Sequence, residues 1–427
     1  MATQGIEIPS DLAKTWIRNY FTYEATETFL SLVDRKTIEM IPDLLDTKHV
    51  RLDPCILILY YVILWRGCFI LNTRSYSSSD GCYAGQLYLC CLRIIPIWQR
   101  EATGCVTDFV AAIFMTGISN ESFDYETSVE MHKLACEYGK GLQMHVLDGS
   151  GNPTAAGPSW TDNDRRGMWE LFQTDLFYHL IYNKPASLLR HLGDWRVNLP
   201  WLSLGSSPDN SAPLSTIAFL VRSRLTFILI EFFQKLKTLD TEPEAIATIE
   251  PLCHQVELLL KEWSIEAWLD RSSHDQMNLW ILSGLILTGY TCILYMLRKA
   301  TLLNSNSPNP AVGSIPRTDL ALRASRRLLK LTYQMLHVWK FPAIEAISYI
   351  LGAYRAHIAY ATVASNALEA PHAEHVAADL ELLDGVASTI ENVASGEKDF
   401  APLARAMRML NADIRSKAET VETIQES

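Results

Sequence analysis

Apolar residues recur every three or four positions along nearly the whole chain, the period of an α-helix with one buried face. Strict alternation, which would put successive side chains on opposite faces of a strand, is nowhere sustained. The periodicity predicts helices over about 10–22, 26–34, 54–72, 83–94, 104–117, 122–145, 162–182, 213–238, 242–263, 275–303, 317–338, 342–367, 372–395 and 399–417. The expected fold class is therefore all-α, a multi-helix bundle of packed helical hairpins. Two stretches are apolar on every side: Cys55 to Trp65, and Leu279 to Leu297, which carries no charge. The second is long enough to cross a bilayer. Ser283, Gly284, Thr288, Gly289 and Thr291 dilute it, so both stretches are expected to be central core helices with no membrane span.

Three loops rich in Gly, Pro, Ser and Asn interrupt the pattern: Leu147–Trp160, Ser203–Pro213 and Asn304–Pro316. They supply turns and block helix continuation, but none has the length of a clear interdomain linker. No fixed-period repeat is present. Residues 1–427 thus read as a single globular unit, with a polar tail that frays from about residue 414.

Composition narrows the function. The hydrophobic fraction of 48% and charged fraction of 20% suit a well-packed domain. The net charge of -11 disfavours direct nucleic-acid binding, which draws most of its affinity from neutralised phosphates. The densest basic stretch, Arg323, Arg326, Arg327 and Lys330, lies within an amphipathic helix and reads as a solvated face. Nine cysteines occur (Cys55, Cys68, Cys82, Cys90, Cys91, Cys105, Cys136, Cys253 and Cys292), with no C-x-x-C pair to grip zinc. Most sit in apolar runs, where a reduced cysteine packs as a small hydrophobe. Their odd number, and an N-terminus that enters a helix at Ser10 without a secretory leader, favour a reducing, intracellular setting.

Candidate chemistry is sparse. His372, Glu374 and His375 sit in PHAEH, which reads as a helix start after Pro371, and Cys253–His254 is isolated; no metal is expected. No nucleophile elbow, P-loop or dinucleotide-binding glycine pattern occurs, and no cofactor is implied. On the helix over 165–182, Trp169, Phe172, Leu176 and Leu180 form an apolar stripe. Asp175 and His179 lie four apart on its flank, where a carboxylate could orient an imidazole. Asp162 and Asp164 suit the positive helix start, and Arg165 and Arg166 are expected in ion pairs, with Asp175 or Glu170 as partners.

The same region carries a resemblance. The helix MHKLACEYGKGLQMH (Met131–His145), a Pro- and Gly-containing loop, then Arg165, Arg166, Trp169, Asp175, Lys184–Pro185 and a closing VNLP at Val197–Pro200 follow one another in order. The block resembles the middle homology region of fungal zinc-cluster transcription factors. IPSDLAKTWIRNYF at the start, and YMLRKATLL (Tyr295–Leu303), are similar to other parts of that regulatory domain. Asn183 and Lys184 stand where the family has Gly-Arg, and the zinc cluster that reads DNA is absent from this sequence.

The resemblance implies a regulatory domain of the fungal transcription-factor type, with the motif residues in structural roles. It further implies a transcriptional co-regulator of a secondary-metabolite gene cluster, nuclear, acting through a DNA-binding zinc-cluster partner. Eleven tryptophans and 17 tyrosines suit a partner interface or an apolar small-molecule pocket. The alternative is a cytoplasmic, cofactor-free enzyme on the same scaffold, catalysing a dehydration or pericyclic step on an apolar metabolite, with Asp175, His179 and Tyr178 as its polar groups.

Overall fold

A computed structural model describes residues 8–23, 27–45, 47, 49–71, 80–149, 160–200, 211–303, 318–341, 343–370, 375–394 and 400–425. Among them are sixteen α-helices and no strand, so the chain is all-α, as its hydrophobic period predicts. By contact it groups into two compact units, residues 1–178 with 185–202, and residues 179–184 with 203–427, where the loop lengths alone suggest one.

The first unit contains α1 (Ser10–Tyr23), α2 (Arg35–Leu44), α3 (Pro54–Leu71), α4 (Asp80–Glu101), α5 (Val106–Glu121), α6 (Tyr125–Gly141) and all but the last turn of α7 (Asp162–Tyr182). Its centre is α3, where Ile58, Leu59, Tyr60, Val62, Ile63 and Leu64 are all buried. A helix without a polar face is stable in water only when neighbours cover it, and α1, α2, α4 and α5 lie against it. Gly67 lets α1 come close, because a Cβ there would run into the Trp16 carbonyl oxygen. Helices α5 and α6 form the tightest hairpin.

The second unit repeats this logic around α11 (Gln276–Thr301), whose segment from Leu282 to Leu297 is buried except at Tyr290. Against it pack α8 (Ser211–Leu236), α9 (Glu242–Glu262), α10 (Ile265–Arg271) and α12 (Asp319–Tyr333). Beyond α12 lie α13 (Ala343–Ile347), α14 (His357–Glu369), α15 (Val376–Ala394) and α16 (Ala401–Gln425). Among the described residues α11 is the one helix long and apolar enough to cross a membrane, and most of it is buried in this unit, as expected of a core helix.

Several boundaries differ from expectation. The helix expected over 26–34 is only a 3-10 turn at Leu30–Leu32. The regular helix follows it, starting where the Asp34 carboxylate accepts the Lys36 N–H, and it tolerates Pro42 inside. Helix α4 likewise runs through Pro96 to Glu101, because burial of Trp98 outweighs one missing backbone bond. The chain does not fray at 414. Helix α16 continues to Gln425, Ile414 is fully buried, and Arg415 pairs with Asp384.

The stretch expected as one helix over 342–367 is broken. Gln334–Val338 and Ser348–Ala353 are π turns, one after α12 and one after α13. Each ends with a residue in the left-handed region, Lys340 at φ 52° and Arg355 at φ 51°. Backbone bonds from Phe341 N–H to the Met335 carbonyl (3.0 Å) and from Ala356 N–H to the Ile350 carbonyl (3.2 Å) close the two turns alike. Trp280 of α11 stacks on Tyr349 (centroids 4.7 Å) and meets Phe341 edge-on at 5.3 Å.

Two substitutions test the packing. Gly67→Ala forces a methyl group against backbone and is expected to lower stability in urea unfolding by about 1–3 kcal/mol. Gly85 on α4 faces open space, so Gly85→Ala is expected to raise stability by about 0.5–1 kcal/mol through helix propensity.

Candidate functional site

The described residues of the block that carries the resemblance, 179–184 apart, lie in the first unit, and two aspartates organise them. Asp148, just past α6, accepts from Arg165 Nε and Nη2 (3.0 and 2.7 Å) and from the Asn198 N–H (2.8 Å). The Arg165 guanidinium beside it holds the Asp148 carboxyl below the usual carboxylate range. Arg196 N–H donates to the His145 carbonyl and Asp148 N–H to the Arg196 carbonyl (2.8 and 2.9 Å), tying the extended segment before Pro200 to the end of α6. Trp169 adds an indole bond to the Asn198 carbonyl at 3.2 Å.

Asp175 is the second organiser, and it is almost completely buried. Its Oδ1 accepts from the Ser187 N–H (2.9 Å) and its Oδ2 from the Leu188 N–H (2.7 Å). His132 Nε2 lies 3.2 Å from the same Oδ1. Burial alone would raise the Asp175 pKa; the bond to His132 and the two amides outweigh it, and the carboxyl sits below its ordinary value. The helix start is closed by Asp164, whose carboxylate accepts the Thr161 N–H and hydroxyl while its own N–H donates to the Thr161 hydroxyl oxygen.

Around Asp175 lies a cluster of chemically capable side chains. His132 and Cys136 are four residues apart on α6, hence on one face, and Asp175 and Tyr178 come from α7. Cys136 Sγ is 3.4 Å from His132 Nε2 and 4.0 Å from Asp175 Oδ1. Burial, then the Asp175 charge, push the Cys136 thiol pKa well up. The Tyr178 hydroxyl bonds Ser128 Oγ at 2.7 Å, Ser128 donates to the Thr116 carbonyl, and the Tyr178 ring lies 4.9 Å from His132.

The pair expected between Asp175 and His179 does not form. His179 donates from Nδ1 to the Lys184 carbonyl and stacks on Phe233 (centroids 4.3 Å). A spacing of four permits a contact, but Asp175 is claimed by backbone amides arriving from the following loop. Arg166 pairs with Glu170 at 3.1 Å, one of the two expected partners, whereas Arg165 pairs with Asp148 and Asp162, and neither arginine pairs with Asp175. The stripe of Trp169, Phe172, Leu176 and Leu180 is buried core. Lys184 and Pro185 are exposed.

Asn183, which stands where the resembled family has glycine, has φ 56°. This is the left-handed position after a helix where glycine is preferred and asparagine is the usual substitute. Its side-chain oxygen accepts from Lys299 Nζ at 2.8 Å, near the end of α11. Burial, with Arg298 beside it, brings the Lys299 pKa down to about 8.

On α12, Arg323 and Lys330 are exposed, as a solvated face requires, while Arg326 and Arg327 are partly covered. Arg326 makes a bidentate pair with the buried Asp379 (2.6 and 2.7 Å), Arg327 pairs with Glu266 (2.7 Å) and Arg323 with Glu257 (3.6 Å). Of the histidine group set aside as metal ligands, His372 and Glu374 lie outside the described residues and His375 is exposed. Cys253 faces the Ile293 carbonyl while His254 pairs with Glu257, so they point apart. An open groove of about 270 Å³ lies between α8 and α9, lined by Phe227, Ile228, Leu258 and Leu259 and rimmed by Arg224, Glu231 and Glu262. Phe227 and Leu258 are half exposed.

Compared with protein-family models, curated proteins and solved structures, the chain matches none. The groove and the His132–Cys136–Asp175 cluster were missed from sequence. Only the His-x-x-x-Cys spacing on MHKLACEYGK could have signalled the cluster, and Asp175 lies 39 residues further on.

Asp175→Asn replaces an acceptor-only group with one that must turn a donor toward amides or histidine. The expected loss is about 2–4 kcal/mol of stability, read by urea unfolding. The pH dependence follows in sign. The folded pKa values of Asp148 and Asp175 lie below an unfolded value of about 3.9. Their stabilisation is therefore complete above about pH 5 and is lost as pH falls through about 4 and below. The urea midpoint of wild type is expected to drop steeply there, and that of Asp175→Asn less so.

Proposed function

We propose that this chain is a transcriptional co-regulator that acts in the nucleus through a DNA-binding protein partner and does not itself read DNA. The observation that carries the reading is the groove between α8 and α9. It sets the half-exposed Phe227 and Leu258 beside Arg224, Glu231 and Glu262, a mix of apolar and charged groups that a docking site can use. Two of its three charged residues are glutamates, Glu231 and Glu262, and the whole chain carries -11. That balance suits a basic, amphipathic helix of a DNA-binding partner, its apolar anchors in the groove and its cations on the rim.

Two further observations support it. Arg323, Arg326 and Arg327 of α12 are engaged by Glu257, Asp379 and Glu266, which leaves that stretch poorly suited to phosphate contacts. The motif residues Arg165, Trp169 and Asp175 hold the loops of their own unit together, the structural role that the resemblance implies. The resemblance also supplies the setting, regulation of a fungal secondary-metabolite gene cluster by way of a zinc-cluster partner. The enzyme reading has less support. Asp175 and Tyr178 face His132 while His179 stacks on Phe233, so its three polar groups do not share a site.

The test is deletion of the gene, with transcripts of neighbouring genes and metabolites profiled in the same culture. The expected outcome is a joint fall of those transcripts, rescued by the wild-type chain but not by a folded Phe227→Glu, Leu258→Glu double variant. Unchanged transcripts with one pathway intermediate accumulating would overturn the reading in favour of an enzyme.

A further inference from the structure

The cluster of His132, Cys136 and Asp175 brings three metal-capable atoms to one buried place. Both Cys136 Sγ and Asp175 Oδ1 address the same atom, His132 Nε2, at 3.4 and 3.2 Å. A single ring nitrogen carries either one proton or one lone pair. An acid–base relay of the Cys-His-Asp kind instead uses the two ring nitrogens separately, one toward the nucleophile and one toward the carboxylate. Three different donor atoms therefore converge on a common point, within 4.8 Å of one another and fully buried.

We propose that this point is a binding site for a divalent zinc ion, held by His132 Nε2, Cys136 Sγ and Asp175 Oδ1. A tetrahedral zinc with bonds of about 2.0–2.1 Å to nitrogen, 2.3 Å to sulfur and 2.0–2.2 Å to oxygen separates its ligand atoms by about 3.3–3.6 Å. The observed separations of 3.2, 3.4 and 4.0 Å need shifts of only a few tenths of an ångström. The donor set, imidazole with thiolate and carboxylate, suits zinc better than calcium or magnesium, which prefer oxygen alone.

The surroundings fit an ion as well. Asp175 is oriented by the Ser187 and Leu188 amides. Such outer contacts fix metal ligands in place. Charge balances too: on binding, the Cys136 S–H proton leaves to solvent, and thiolate plus carboxylate neutralise the dication in a buried place. Because the site is sealed, the ion enters during folding and ties α6 to α7 as a structural clamp.

The experiment uses the full chain expressed in zinc-supplemented medium, desalted, and analysed for metal content. About one zinc per chain is expected, and refolding in cobalt(II) is expected to give the thiolate-to-cobalt charge-transfer band. Cys136→Ser and His132→Gln should abolish that band and cut zinc content at least tenfold. Should those variants fail to fold, wild type decides: adding a strong chelator is expected to lower its thermal midpoint by several degrees. A folded wild-type chain with little zinc, no cobalt band and a midpoint indifferent to chelator would overturn the proposal and leave a hydrogen-bonded cluster only.

Discussion

A carboxylate that collects backbone amides is the interaction on which the first unit depends. Helix ends leave N–H groups without partners, and a unit with this many helices has many ends to satisfy. Asp108 accepts from the Thr103, Gly104 and Cys105 amides (3.0, 2.9 and 3.1 Å) and from the Trp98 indole at 2.6 Å. Asp148 does the same for Asn198, Asp164 for Thr161 and Asp175 for Ser187 and Leu188. Each removes the cost of an orphaned donor and fixes a loop against a helix in the same act. The loop path from α7 to Pro200 follows from where Asp148 and Asp175 stand.

Helices α3 and α11 impose a complementary constraint. Being apolar on all sides they must be surrounded, and the amphipathic helices of each unit are arranged to do so. Polar groups at the edges then select one arrangement among the many that would bury similar area. In the second unit this role falls to the Arg326–Asp379 pair and to Tyr360, whose hydroxyl donates to Asn411 Oδ1 at 2.7 Å while Asn411 donates to Asp384. Such directional contacts convert a collapsed bundle into one structure.

Much of the fold was legible because burial writes a period into the chain: α7 was placed to the residue, and α9 and α11 nearly so. Errors arose where a local rule met a stronger tertiary one. Helix α4 runs through Pro96 beyond the end expected at 94, and α2, where no helix is expected, contains Pro42, because packing of Trp98 and Ile41 outweighs the missing backbone bonds. The tail looked polar, but its seven-residue step from Met407 to Ile414 is a core contact. The site was far less legible. Asp175 is expected to pair with His179, but its partners come from another helix and from the backbone of a loop. Amides have no sequence signature, and the groove depends on how α8 and α9 cross.

The two π turns bear on how this bundle can change over time. A π turn holds one residue more than the α-helical turn it replaces, and here each is followed by a left-handed residue that takes the chain out of the helix. Removing one residue before that exit would shift the register of the side chains by roughly 100°. Tyr349 and Tyr354 would then leave α11, and Trp280 would lose its stacking partner. The aromatic contacts with α11 thus make the length of this segment, more than its composition, the property least free to drift.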